Sequence, residues 1–435
     1  MNLSSFRRVL SLDIGQLWLA SIVSNALFYV FHVIVGRSLG PKDYSLFGAL
    51  MGLLYLAGAL SSSVQVSVAK LVAEARASGN RADEPLLIST ALFQMALLSG
   101  TILVAFSLAS PLIGGYLHSE TITPILITGL ALFALLLLPV LSGALQGAQR
   151  FAPLALFLLI SAAGRLLFGL GALRLDMGVN GALSGVGIAS VLTVVVGLAA
   201  VRPARAVSFG VLPTDTMLKL LLPTVVASLA LSIPTTVDVI IVRNLFSGTE
   251  AGLYTAAAVL GRAVLFLAMP VVLILFPKFA EDWTVGSFAQ GLLYRGLALT
   301  ALLSGVAAVA LAVAPRLALT LFVGSQYNDA ANIVPIYAGA MFCFSLVIVF
   351  LYYHLAIGQM SYVYVVLVPH IVLELAFLYV FHQSLTQVAL VLLIANASLL
   401  GWSALSAKTL QSKPRSTERL VEHIVPASEP WRSQS

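Results

Sequence analysis

Charge is what this sequence has least of. Asp, Glu, Lys and Arg make up 9 % of its 435 residues, against roughly 25 % in soluble domains. A soluble fold could not clothe its surface with such a chain. Cysteine is almost absent too: the single Cys343 lies in an apolar run, which excludes a disulfide framework and a cysteine metal site and leaves a core thiol. No GxxxxGK(S/T) phosphate loop occurs, so ATP is not the direct driver, and the missing HExxH and GxSxG count against zinc and serine hydrolases of those types. Short alternating strands are lacking, which excludes an outer-membrane barrel. The net charge of +6 does not mark a nucleic-acid partner, because the basic residues are scattered between apolar runs with no aromatic-interleaved patch.

What remains is apolar sequence in long runs. Hydrophobic residues reach 60 %, and a membrane span needs about 20 of them in succession. Twelve spans are predicted near 15–36, 44–68, 86–110, 122–146, 153–173, 179–201, 218–243, 251–276, 291–314, 331–356, 361–381 and 385–407. Arg7 and Arg8 before the first run resemble a signal peptide, but Asp13 interrupts it and the span is full length, so an uncleaved first helix is expected. The fold class is thus an all-α polytopic membrane protein. Its expected divisions are a six-helix lobe over 1–201, a cytoplasmic linker over 202–217, a second six-helix lobe over 218–407 and a polar, disordered cytoplasmic tail over 408–435.

Orientation follows from the basic residues. With the N-terminus inside, sixteen of the 23 Lys and Arg fall on the cytoplasmic side, five on the outer side (Arg37, Lys42, Arg174, Arg243, Arg316), and Arg165 and Arg262 lie within spans. Both termini are expected in the cytoplasm.

The chain also repeats. Arg37-Ser38-Leu39 returns as Arg243-Asn244-Leu245, and Asp43-Tyr44-Ser45-Leu46-Phe47 as Glu250-Ala251-Gly252-Leu253-Tyr254. Lys70-Leu71-Val72-Ala73-Glu74 returns as Lys278-Phe279-Ala280-Glu281, and Ala96-Leu97-Leu98-Ser99-Gly100 as Ala301-Leu302-Leu303-Ser304-Gly305. The offsets of 206, 207, 208 and 205 hardly drift. An even number of helices per unit makes these parallel repeats, with a path expected between the halves.

Val237-Asp238-Val239-Ile240, then Glu250 through Arg262, then Phe276-Pro277-Lys278-Phe279-Ala280-Glu281 resemble the polysaccharide-transporter branch of the multidrug/oligosaccharidyl-lipid/polysaccharide (MOP) exporter superfamily. Gly36 through Tyr44 and Leu145 through Phe151 are similar to that branch in the first half. The resemblance covers nearly all of the chain except the tail. It implies two six-helix bundles in a MATE-like V around a central cavity, alternating access, and flipping of lipid-linked saccharides across a bacterial or archaeal cytoplasmic membrane. Membrane lipids, a coupling proton or sodium ion and polysaccharide assembly proteins are the partners it implies. No cofactor is expected, and the chain is expected to be no enzyme.

Charged residues inside spans are read on their own terms. Each costs roughly 2.5–3.5 kcal/mol at mid-membrane, so Arg165, Asp238, Arg262 and Glu374 must face protein or a watery cavity. Asp238 lies about 7 Å by helical rise from Arg243 at the outer edge. A guanidinium keeps its charge and grips two phosphate oxygens, which suits a diphosphate-linked cargo. Arg262 and Arg165 are therefore substrate-binding candidates, with pairing to Asp238 or Glu374 the other reading. Ser21, Asn25, Phe28 and His32 share one face of the first helix. By the repeat offset they match Ser228, Ser232, Thr235 and Asp238, so both faces are expected to line the cavity. Asn25, His32 and Tyr55, in the second span, complete the substrate candidates. Asp238, Glu374 and His370 are ion-coupling candidates, the last two being four apart and on one face. Pro223, Pro234 and Pro270 are expected to bend helices. Two other functions are weighed: a membrane glycosyltransferase or polymerase, which would need catalytic groups on a large outer loop, and a cation-coupled multidrug antiporter, which would favour acidic residues in first-half spans, where none lies.

Overall fold

The computed structural model describes residues 3–78, 84–204, 225–284 and 290–411, and no strand occurs among them. The first half consists of α1 (Leu3–Ser38), α2 (Pro41–Ala77), α3 (Glu84–Leu108), the short α4 (Ser110–Tyr116), α5 (Thr123–Gly147), α6 (Phe151–Arg174) and α7 (Gly178–Val201). The second begins with α8 (Val225–Ser232) and α9 (Val237–Leu245), followed by α10 (Gly248–Phe266), α11 (Met269–Thr284), α12 (Gln290–Val313) and the short α13 (Pro315–Phe322). A 3-10 segment (Ser325–Asn332), α14 (Val334–Ala356), a π turn (Val363–Leu367) running into α15 (Val368–Val380), and α16 (Leu385–Gln411) complete it.

Eleven helices are long and apolar enough to cross a membrane, and the bent pair α8–α9 supplies a twelfth span. Each coincides with an expected span to within a few residues, apart from the ends that run on into water. α2 continues to Ala77, so by rise it is about 55 Å long and overruns a hydrocarbon core of about 30 Å. Its overhang is polar and fastened. Arg76 makes a bidentate pair with Glu84 at the start of α3, at 2.7 and 2.9 Å, and donates to Ala148 O beyond α5 at 2.6 Å.

Residues 315 to 330, between two spans, fold as α13 and the 3-10 segment. One expectation is corrected. The seventh span is not a continuous helix, so Ser228, Ser232, Thr235 and Asp238 do not share one polar face. Pro234 has no N–H and cannot continue the helical ladder, and α8 and α9 meet at a bend of 49°. Pro270 likewise follows a turn at Leu267–Ala268 that separates α10 from α11. Pro223, most of the expected linker and the tail beyond Gln411 lie outside the described residues.

Within the first half α6 packs on α1 and α7, and α5 on α2, α3 and α7; within the second, α14 packs on α10, α12 and α16. The seam between halves is α2 against α9 and α10. Glycines let these backbones approach. A Cβ on Gly48 would lie 2.5 Å from Thr255 Cγ2, and one on Gly252 would lie 2.0 Å from Pro41 O. Gly48 and Thr255 are 207 positions apart, the offset of the sequence repeat, and meet at this seam. Gly252→Ala is expected to destabilise the protein by about 1–3 kcal/mol, seen as a lower melting temperature in detergent. The outer wall is apolar, with Leu97, Val306 and Ile394 each about two-thirds exposed, as lipid requires.

Candidate functional site

The break at Pro234 places Asp238 in the first turn of α9, where free amides and the positive end of the helix dipole favour a carboxylate. Asp238 is buried, at 1 % exposure. Its Oδ1 accepts from Arg262 Nη2 at 3.2 Å, and its Oδ2 accepts from Tyr337 Oη at 2.8 Å and Tyr254 Oη at 3.1 Å. Arg262 projects from α10 beside Gly261, where an added Cβ would lie 2.3 Å from the Tyr337 ring, so that only glycine leaves room for it. The guanidinium is 15 % exposed, and its Nε has no hydrogen-bond partner among the described residues.

The first half carries a counterpart. His32 on α1 is bonded through Nε2 to Tyr55 Oη on α2 at 2.6 Å, and its Nδ1 is buried with no partner among the described residues. His32 and Asp238 differ by 206 positions, Tyr55 and Arg262 by 207. The His32–Tyr55 bond and the Asp238–Arg262 ion pair are therefore the same element of the repeat with different chemistry. Phe28 packs edge-on to His32 at 4.9 Å and lies 5.9 Å from Tyr55. Arg165, from α6, sits over the Phe28 ring at 5.8 Å, a cation–π distance.

Arg165 differs from Arg262 in one decisive way. Among the described residues no carboxylate pairs with it; its polar contact is Ser161 Oγ at 3.5 Å, and its Nε is buried without a partner. Three expected residues, His32, Tyr55 and Arg165, thus gather around Phe28, and Arg262 with Asp238 forms the cluster of the second half.

The remaining candidates lie apart. Asn25 is exposed on α1, about two turns before His32. Glu374 is buried at 3 % on α15, which packs against α9. His370 turns instead to α16, bonding Ser398 Oγ at 2.8 Å and Ala395 O at 3.1 Å, so sharing a face with Glu374 does not join the two. Tyr254 and Tyr337 escaped the sequence reading. Tyr254 stood in a repeat block that could have been searched for partners of Asp238, whereas Tyr337, 99 positions from it, gave no signal.

A sequence profile for polysaccharide biosynthesis proteins matches residues 12–283, more than half of the chain. The chain belongs to the polysaccharide biosynthesis protein family. A search among curated proteins finds no match. Among solved structures, this polysaccharide biosynthesis protein is similar to an inward-facing multidrug-resistance MATE family transporter of the MOP superfamily, at 15 % identity and a TM-score of 0.72, covering 89 % of this chain and 96 % of that one. The Lipid II flippase MurJ in an inward closed conformation gives 16 % and 0.72, covering 90 % and 87 %. An outward-facing MATE family transporter of the MOP superfamily gives 14 % and 0.57, covering 92 % and 96 %. This member of the family thus has eleven or twelve candidate membrane spans and the MATE- and MurJ-like fold.

Proposed function

We propose that this protein is a secondary flippase that moves a lipid-linked oligosaccharide, carried on a polyprenyl diphosphate, from the inner to the outer leaflet of the cytoplasmic membrane. The lipid tails stay in the bilayer while the headgroup passes between the halves, residues 1–201 and 218–407, which rock about their seam. Both termini face the cytoplasm. The observation that carries this reading is Arg165: a cation among the spans, without a carboxylate partner among the described residues and with a buried Nε that no group there satisfies. An unpaired buried charge is costly, and a diphosphate supplies the missing partner while using bidentate geometry. Membrane location, repeat and family membership support the same conclusion.

Asp238 and Glu374 give the cycle a place for a coupling ion, a proton or sodium. They also carry the second reading, a cation-coupled multidrug antiporter, since both are buried acids in the second half. Headgroup accessibility in proteoliposomes separates the two. A saccharide–diphosphate–polyprenol placed in one leaflet should reach the other only when the protein is present, with no new glycosidic bond formed. Efflux of a lipophilic cation with no headgroup transfer would instead establish the antiporter. Headgroup transfer indifferent to both proton and sodium gradients would remove Asp238 and Glu374 from coupling.

A further inference from the structure

Arg37 and Arg243, which open the first matching block of the repeat, make contacts that neither cargo binding nor ion coupling explains. Arg37, in the last turn of α1, donates through Nη2 to Thr320 O at 3.1 Å and to Leu321 O, the final carbonyls of α13 in the other half. Arg243, near the end of α9, does the same in reverse. Its Nε donates to Leu117 O at 2.8 Å and its Nη2 to His118 O at 3.1 Å, just beyond α4. The third arm, Nη1, reaches Ser45 Oγ at 2.8 Å. The two arginines are 206 positions apart, and the short helices they grip begin 205 apart.

Each half therefore extends one guanidinium across the seam and caps the short helix of the other. The last carbonyls of a helix have no partner within it and carry the negative end of its dipole. A rigid fork of N–H donors with a permanent charge is the matching group. Further bonds close the same end. Tyr327 Oη donates to Gly36 O at 2.8 Å, Gln326 Nε2 to Leu39 O at 3.0 Å, and Asn244 Nδ2 to Tyr116 O at 2.7 Å. By the distribution of basic residues this is the outer end. The arrangement is symmetric in sequence but not in burial, because Arg243 is 3 % exposed whereas Arg37 is exposed.

We propose that Arg37 and Arg243 form a reciprocal latch holding the outer end shut, and that the outward-open state is reached by releasing both from the opposite short helix. Arg37, in water, lets go first; Arg243 sets the population of the open state. This rests on the alternating-access reading above, but its test needs no cargo. Nitroxide labels at Thr121→Cys and Asp329→Cys, exposed sites on opposite halves at this end, are introduced into the full chain with Cys343→Ser, and electron–electron distances are measured in lipid nanodiscs. The latch requires that Arg243→Gln raise a longer-distance population at least about tenfold, that Arg37→Gln raise it less, and that the double variant exceed either. Arg243→Lys, which keeps charge but loses the fork, should fall between Arg243→Gln and the unaltered residue. Arg37→Gln changes an exposed side chain and tests the latch even if Arg243 variants do not fold. An unchanged distance distribution in Arg37→Gln, or in folded Arg243→Gln, overturns it. A shifted distribution in a protein that transfers no saccharide headgroup upholds the latch and discards the cargo assignment, so the two readings fail separately.

Discussion

Arg262→Ala is expected to abolish headgroup transfer, reducing the initial rate at least about a hundredfold, as loss of charge-assisted contacts worth on the order of 3 kcal/mol implies. The substitution also strips Asp238 of its ion-pair partner, and breaking a buried pair from one side costs about 3–5 kcal/mol. A simple loss of activity would therefore be ambiguous. The double variant Asp238→Asn/Arg262→Gln separates the causes, since it removes both charges and leaves no orphan. If Arg262 serves only to neutralise Asp238, the double variant recovers stability and transfers as fast as Asp238→Asn alone, the control for losing a coupling candidate. If Arg262 touches the cargo, stability returns and transfer stays well below that of Asp238→Asn alone, and that second pattern is expected. Arg262→Lys, which retains charge without the fork, should restore only part of the rate. The measurement is headgroup accessibility in proteoliposomes beside the melting temperature of the same preparation.

Arg165→Gln is the complementary case. Because no carboxylate pairs with this guanidinium among the described residues, its removal should leave the fold intact and shift the melting temperature by less than about 2 °C, a stability change under about 2 kcal/mol. Transfer should nonetheless fall on the order of tenfold to a hundredfold, one lost charge-assisted hydrogen-bonding group being worth about 1.5–3 kcal/mol. Unimpaired transfer would take Arg165 out of the mechanism, and with it the observation that most favours an anionic cargo. A large drop in melting temperature would give it a structural role instead, against Phe28 and Ser161.

The seventh span shows how far the linear reading reaches. Its existence was legible from its apolar run, and Pro234 marked a bend, but continuing the helix through Thr235 produced a polar face that the structure does not contain. The break instead places Asp238 in the first turn of a new helix, enclosed between α10 and α14 and held by Tyr254 and Tyr337. His370 and Glu374 teach the same lesson. Four residues apart on one helix, they face different neighbours, because α16 offers His370 two acceptors and α15 turns Glu374 inward.

By itself the sequence determined that eleven or twelve segments are long and apolar enough to cross a membrane, and that a few charges must be sheltered among them. These follow from solvation, a property each residue carries regardless of its neighbours, and lipid reads it segment by segment along the chain. Only the tertiary structure decided which arginine is paired and which is not, that His32–Tyr55 and Asp238–Arg262 are one element in two versions, and that Arg37 and Arg243 reach across to the opposite half. Those outcomes depend on how far each helix is rotated and where its neighbours touch it. Rotation and contact are set by packing between segments hundreds of positions apart, for which hydropathy carries no code.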